Sequence, residues 1–325
     1  MHPAFSVIFF TTLTGAGYGL LLWTGVSIVT TYLQGERMHG VTPMLWSALL
    51  IAVLVLVTIG LLSSLLHLGK PGRAWRSFSQ WRTSWLSREG VMAVLTYLPI
   101  LAFLGMVGYG WLYEPTRDPL HTLLTPLLAV AMVSCALATV VCTAMIYASL
   151  KPIPAWQHRL VVPAYLAFAV LTGGTLLLAV LAATGLDEST LRAYALLLAV
   201  AALATAGIKL GYWRDIDRTA LPLTRGDAVG LPGREISVFE RPHTDDNYLT
   251  REMGFVVARK HARKLRAIAL VLFGVVPMLA AGAVLLLPAI APLAFVLAAV
   301  AALAGAFVER WLFFAEARHL VTLYY

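Results

Sequence analysis

Apolar stretches recur along this chain, and each is long enough to cross a lipid bilayer. A spanning helix needs roughly 20 apolar residues to cover about 30 Å of hydrocarbon. Inside lipid, every backbone amide needs a partner within its own segment, so we predict helices rather than open strands. The fold class predicted is an all-α integral membrane bundle of about eight transmembrane helices: Phe5–Leu33, Met44–Leu66, Val91–Leu112, Leu120–Ala148, Leu160–Ala183, Leu191–Tyr212, Ala267–Leu287 and Pro292–Phe314.

The composition excludes an ordinary water-soluble domain. Of 325 residues, 60% are hydrophobic and 12% are charged, which is about half the usual charged share. A soluble chain of this size could not bury so much apolar surface. We interpret residues 1–325 as a single polytopic membrane domain with one long polar loop at about 213–263.

The connections between the predicted spans differ in charge. The second, fourth and sixth are basic, and the sixth ends in a run of cations between Arg251 and Arg266, whereas the fifth holds Asp187 and Glu188. The positive-inside rule places the basic loops and both termini in the cytoplasm. Alternatively, the basic loops are a docking surface for an acidic protein on whichever side that protein lies. Membrane lipid is the expected environment, and no nucleic-acid partner is expected.

The connection between the second and third spans is the most informative stretch. Pro71 can start a helix there. Aromatic rings then recur at helical spacing among arginines, which is typical of a helix lying in the membrane interface. One interpretation is a simple interfacial anchor. The other is an aromatic groove for an amphipathic ligand, lined by Arg73, Trp75, Arg76 and Trp85.

Two ionisable residues flank this connection. His67 ends an otherwise apolar span, and Glu89 enters the next one. Charge at that depth is costly and indicates function, and histidine exchanges protons near neutral pH. Antiparallel neighbouring helices would bring both residues to the same level of the interface. The pair would suit a ligand whose redox change moves protons, such as a quinone. The alternative is a His–Glu pair that merely ties two helix ends.

The last span carries a second polar pair, Glu309 and Arg310. Such charges face the protein interior or a polar cavity. Interhelical ion pairing is one interpretation, and lining a quinone or proton path is the other. No predicted span has a histidine at its middle and no cysteine cluster occurs, so we expect neither a haem nor an iron–sulfur cluster nor any other metal in this chain.

These segments resemble the DmsC family of dimethyl sulfoxide reductase anchor subunits, and more distantly the NrfD-type anchors. The most specific resemblance lies in His67–Trp75 (HLGKPGRAW) with Ser84–Glu89 (SWLSRE). Supporting matches are Pro154–Trp156 (PAW), Asn247–Phe255 (NYLTREMGF) and Glu309–Phe314 (ERWLFF). The resemblance runs from Pro3 to the last helix.

The resemblance implies an eight-helix anchor in the bacterial inner membrane. Its partners would be a molybdopterin catalytic subunit and a ferredoxin-like subunit with iron–sulfur clusters. The anchor would exchange electrons between the quinone pool, either ubiquinone or menaquinone, and the nearest cluster, and it would catalyse nothing alone. The histidine that the family uses for quinol binding corresponds to His67, and the carboxylate of the LSxE segment corresponds to Glu89.

The substrate of the catalytic partner is less constrained. The aromatic, basic stretch before Glu89 is more similar to anchors of sulfite dehydrogenases (the SoeC type) than to the enterobacterial dimethyl sulfoxide anchor, which favours quinone reduction coupled to sulfite oxidation. A quinol-oxidising anchor of an S-oxide reductase is the alternative. Two further hypotheses are a purely structural tether and, from another class, a polytopic secondary transporter.

Overall fold

A computed structural model describes residues 4–34, 43–113, 122–219, 221–240 and 257–324 of the chain. Within these ranges all regular structure is helical. Eight helices in the described ranges are long and apolar enough to cross a membrane, which confirms the predicted fold class.

The spanning helices follow one another along the chain. We number them α1 to α8; α7 consists of Val257–Leu270, a π-helical turn at Val271–Val275, and Val276–Leu286. A 3-10 helix at Pro71–Gln80 lies between α2 and α3, and a one-turn helix at Arg225–Ala228 lies between α6 and α7. The other seven spanning helices are α1 (Phe5–Gln34), α2 (Pro43–Leu65), α3 (Trp85–Tyr113), α4 (Leu124–Ala148), α5 (Val161–Leu181), α6 (Glu188–Arg218) and α8 (Ala291–Ala315).

Several helices extend beyond the apolar stretches that predicted them. Helix α3 begins at Trp85, six residues before the predicted Val91, and α6 continues to Arg218. Hydropathy marks the hydrocarbon core, whereas helical hydrogen bonding continues into the polar interface. The polar connection predicted at 213–263 is therefore shorter, because its first residues belong to α6 and its last to α7. The sequence also predicts a helix from Thr250 onward, but its predicted start and the Asn247–Phe255 segment lie outside the described residues.

Helix α1 is the centre of the bundle and packs against α2, α4, α5 and α8. Its closest approach is to α5: a Cβ added to Gly19 would lie 1.8 Å from the carbonyl oxygen of Ala169, and one added to Gly173 would lie 2.0 Å from the carbonyl carbon of Gly19. Only glycine permits two helix backbones to come so close. Gly15, one turn away, has nothing within 4 Å of such a Cβ.

Side-chain and loop contacts show which helix ends lie together. The Ser63 hydroxyl near the end of α2 donates to the Ser6 carbonyl at the start of α1. The amide of Leu320, beyond α8, donates to the Pro152 carbonyl between α4 and α5. We call this end, where α1, α3, α5 and α7 begin and α2, α4, α6 and α8 end, the basic end. The half of the bundle next to it is the basic half.

Candidate functional site at the basic end

The connection between α2 and α3 is the predicted interfacial segment, and it is helical as expected. Its helix, Pro71–Gln80, is of the 3-10 type and buries none of its residues. Trp75 is 66% exposed, and Phe78 and Trp81 are also exposed. The Arg76 guanidinium lies 5.7 Å from the Trp75 ring centroid, within cation–π range. Rings and cations are thus presented together on the outer surface of the basic end.

The first turns of α3 hold this segment in place. The Ser87 hydroxyl donates to the Ser77 carbonyl and accepts from the Gln80 amide at 3.1 Å. The Arg88 side chain donates to the carbonyls of Trp81 and Arg82 at 3.0 and 2.6 Å. These bonds satisfy backbone groups that the end of a short helix leaves without partners. The segment is therefore fixed to α3 by the two side chains that immediately precede Glu89.

The four residues predicted to line a quinone groove differ in their settings. Arg73, Trp75 and Arg76 are exposed on the 3-10 helix. Trp85 begins α3 and is partly buried, and the Arg88 guanidinium lies 4.3 Å from its ring centroid. All four share the basic end with His67.

His67 lies in the turn that follows α2 and is exposed. No hydrogen bond or ion pair joins it to any other residue that the structure describes. The surrounding chain still desolvates the imidazole enough to lower the pKa of His67 from its usual value. A lowered pKa favours the neutral ring near pH 7, which can accept a proton on one nitrogen and donate a hydrogen bond from the other.

Glu89 is the fifth residue of α3 and turns away from the surface. It is 5% exposed, and its carboxylate accepts a hydrogen bond from the Thr143 hydroxyl of α4. Within the described residues no hydrogen bond or ion pair joins it to His67. The two residues flank the interfacial segment as predicted, but one faces outward and the other faces the interior. The interpretation as a His–Glu pair that ties two helix ends is therefore wrong.

The polar pair of the last span forms part of a buried ionic cluster. The Lys209 Nζ of α6 lies 2.5 Å from Glu309 Oε1, and an Arg310 Nη lies 3.2 Å from Glu309 Oε2. The distances are those of ion pairs, although neither contact has the angle of a hydrogen bond. All three side chains are buried. The interhelical pairing expected of Glu309 is present, and its partner is Lys209.

Aromatic rings surround the two cations of this cluster. The Lys209 Nζ lies 3.9 Å from the Tyr212 ring centroid, and the Arg310 guanidinium lies 3.6 Å from that of Tyr165. Cation–π attraction is strongest where water is excluded. One carboxylate and several aromatic faces thus surround two buried basic side chains.

A second ionic group lies closer to the surface of the basic end. Arg266 of α7 contacts Asp217 at 2.6 Å and Glu316, just beyond α8, at 3.0 Å. Burial raises the pKa of Glu316, and the nearby Arg266 opposes that rise. The three residues tie the ends of α6, α7 and α8 together.

A cavity lies between Glu89 and the buried cluster. Thr143, the hydrogen-bond partner of Glu89, lines one part of it, and Arg310 lines another. Tyr18 of α1 and Tyr165 of α5 also line the wall. About 10 Å³ is open to the centre of a water molecule, which is roughly the room for one water. The arrangement can hold water and polar hydrogens beside a buried carboxylate.

The sequence reasoning did not single out Lys209, Thr143, Tyr18 or Tyr165. A signal for Lys209 was present, because it is a lysine inside the predicted span Leu191–Tyr212 and a charge inside a span indicates function by its cost. Threonine and tyrosine give no comparable signal, since both are common in spanning helices as packing residues.

Comparison with known proteins identifies the family. The family model described as the DMSO reductase anchor subunit (DmsC) matches residues 1–315. The chain belongs to the DmsC family. It is a membrane anchor subunit of an oxidoreductase, and catalytic partner subunits are thereby implied.

One relative of known function is similar to this chain over its full length. The C subunit of the sulfite dehydrogenase of Allochromatium vinosum is 36% identical over 344 aligned positions, which cover 100% of this chain and 99% of the relative. The resemblance predicted from His67–Trp75 and Ser84–Glu89 is confirmed at the level of the family. Membership of an anchor family also favours an anchor over the secondary transporter.

Proposed function

We propose that this chain is the quinone-reducing anchor of a sulfite-oxidising complex in a bacterial inner membrane. The observation that carries the proposal is Glu89, a carboxylate buried behind the exposed aromatic segment of a DmsC-family anchor. The similarity to the C subunit of a sulfite dehydrogenase supports the substrate. A ferredoxin-like iron–sulfur subunit and a molybdopterin subunit would complete the complex.

The chemistry requires protons as well as electrons. Oxidation of sulfite with water to sulfate releases two electrons and two protons, and a quinone takes up two of each to become a quinol. The electrons would arrive through the partner's iron–sulfur clusters. His67 and Glu89 would supply the protons, His67 from the surface and Glu89 from the interior. Positioned acids of this kind typically contribute about 10²- to 10⁴-fold to rate.

The interfacial segment would hold the headgroup. Arg73 and Arg76 are exposed donors, and Trp75 and Trp85 offer ring faces at the level where Trp normally lies in membranes. A quinone headgroup is planar and carries two carbonyl acceptors, so it fits such donors and faces. Replacing these residues should raise the KM for quinone more than it lowers kcat.

Replacement of His67 tests the proposal. In the assembled complex, His67→Ala should lower quinone-coupled turnover by about a hundredfold and leave dye-coupled sulfite oxidation by the soluble subunits intact. His261→Ala is the matched control, because His261 is an exposed histidine of α7. Normal quinone-coupled turnover in His67→Ala would exclude the assignment.

The family description favours one competing function. A DMSO reductase anchor would oxidise quinol and deliver the electrons, through its partner subunits, to an S-oxide. His67 and Glu89 would then accept the protons of the quinol. The purified complex distinguishes the two: quinone reduction by sulfite supports the first, and quinol oxidation by dimethyl sulfoxide supports the second. Mass analysis of the copurified subunits identifies the partners.

We also propose that the basic end and both termini face the cytoplasm, as the positive-inside rule predicts. A fluorescent protein fused after Tyr325 should fluoresce, and alkaline phosphatase fused there should be inactive. The reverse pattern would place the soluble partners on the other side.

A further inference from the structure

The interior of the basic half contains hydroxyl groups without partners. The side-chain oxygens of Thr12, Tyr18 and Tyr165 are buried and form no hydrogen bond with any residue that the structure describes. All three residues line the cavity between Glu89 and Arg310, and each is less than a tenth exposed. Buried polar groups are normally satisfied by protein or by ordered water. Water in this cavity can therefore satisfy the three hydroxyls, although apolar side chains such as Val140 and Phe168 also line it.

The cavity also joins groups that can carry protons. On one side, Thr143 both lines the cavity and donates to the Glu89 carboxylate. On the other, Arg310 lines it and contacts Glu309, which contacts Lys209. Chains of carboxylates, hydroxyls and water inside membranes are typical proton relays.

Several ionisable groups lie near Glu89 and the cavity. The cluster of Lys209, Glu309 and Arg310 lies on the side of the cavity lined by Arg310, away from Thr143 and Glu89. Tyr165 lies within electrostatic range of both Glu89 and Arg310, and Tyr18 and Tyr147 lie within range of Glu89. Arg88 and Cys142 are the other ionisable neighbours, and Arg88 is turned outward onto the Trp81 and Arg82 carbonyls.

We propose that Glu89 exchanges its proton through the interior of the bundle, by way of the Thr143 hydroxyl, water in the cavity and the Glu309 carboxylate, while Arg310 and Lys209 keep their charges and hold that carboxylate in place. The proton reaches the aqueous phase of the basic end near Glu316 and Asp217, and it does not pass along the exposed surface beside His67. Glu89 gives one proton to a quinone oxygen and regains one from the water side. Thr143 and Tyr165 act as positioning residues for that water. This inference rests on the proposed quinone function.

Thr143→Val removes the relay hydroxyl and keeps the shape of the side chain. In the assembled complex, we expect quinone-coupled turnover to fall by at least about tenfold, with a larger slowing in D₂O than the native complex shows. Dye-coupled turnover stays unchanged, which reports assembly. Thr143→Ser should restore both the rate and the isotope effect, and Tyr165→Phe should act in the same direction as Thr143→Val.

Thr96→Val is the matched control, since Thr96 is a buried threonine of the α3–α4 interface that bonds Thr139 at 3.3 Å. The interior route alone would be overturned if Thr143→Val and Tyr165→Phe both kept the native turnover and isotope effect while Glu89→Gln lost quinone-coupled activity. A slower rate with a native isotope effect would also overturn it, because it would indicate a structural role. Full quinone activity in both His67→Ala and Glu89→Gln would overturn the quinone function itself.

Discussion

The two halves of the bundle are built from different side chains. Every buried charge among the described residues lies in the basic half: Glu89, Lys209, Glu309 and Arg310. The opposite half is filled by large apolar side chains that are almost fully buried: Trp46, Leu50, Phe103, Met132 and Phe295. Burying a charge in hydrocarbon is costly and is tolerated where partners or water compensate it. If the proposed quinone function is correct, its proton chemistry is confined to the basic half.

Under the proposed function, this asymmetry favours proton exchange at one end of the bundle over proton transfer across the membrane. A pump needs polar groups that continue across the membrane, whereas the described residues of the opposite half offer isolated hydroxyls such as Thr24. Protons taken up at quinone would then come from the side on which the basic end lies. Four substitutions test the contrast between the halves, beginning with the one expected to lower stability most.

Removing the carboxylate shared by Lys209 and Arg310 should cause the largest loss of stability. Glu309→Gln leaves Lys209 and Arg310 buried without a carboxylate, and breaking a buried ion pair costs about 3–5 kcal/mol. Thermal unfolding of the purified complex in detergent measures the effect. Thr24→Val is the comparison in the opposite half, and it should be neutral or slightly stabilising because the Thr24 hydroxyl is buried without a partner among the described residues. Equal effects of the two changes would contradict the contrast.

The crossing of α1 and α5, where the two halves meet, should be the next most sensitive point. Gly19→Ala would place a methyl group against the Ala169 carbonyl, so the helices must separate, at a cost of about 3 kcal/mol or less. Gly15→Ala would place its methyl group in the cavity, with no atom within 4 Å, and should gain up to about 1 kcal/mol of stability from helix propensity. Unfolding midpoints of the two variants measure the difference. A native unfolding midpoint in Gly19→Ala would show that α1 and α5 can separate at no cost in stability.

A smaller effect is expected where the interfacial segment meets α3. Ser87→Ala removes a donor to the Ser77 carbonyl and an acceptor for the Gln80 amide, at a cost of about 1–3 kcal/mol. Local opening should appear as faster hydrogen exchange at Gln80, with a raised KM for quinone. Thr125→Val, a buried threonine of the opposite half, serves as the control. Unchanged exchange at Gln80 would show that Ser87 does not hold the segment.

The smallest expected effect is on the pH dependence of the unfolding midpoint. His158 lies in the connection between α4 and α5, and burial lowers its pKa in spite of Asp215 of α6 at 3.4 Å. Since the folded protein binds this proton less readily than the unfolded chain, His158 contributes stability above its ordinary pKa, and that stability is lost as the pH falls through the lowered pKa. His158→Gln should therefore flatten the decline of the unfolding midpoint at acidic pH. An unchanged acid slope would contradict the assignment.

Much of the architecture could be predicted because it follows from the thickness of the bilayer. The eight spans and the helical interfacial segment came from hydropathy and aromatic spacing. Hydropathy placed the start of α3 six residues late, because it does not detect helix that continues into the interface. Lys209 could have been identified from the sequence, because it is a charge within a predicted span. Thr143 and Tyr165 could not, because their residue types are common in spanning helices as packing residues.

Residue order alone specifies that this chain is a bundle in a membrane with one basic end, because lipid accepts only helices of sufficient length and because charges must leave its core. It also locates His67, Glu89, Glu309 and Arg310 near that end. The packed bundle was needed to show that Glu89 faces Thr143 while His67 faces outward, and that Glu309 meets Lys209. Those pairings depend on how each helix is rotated about its axis, and rotation is set by packing against neighbours such as α1 at Gly19, which no local pattern encodes.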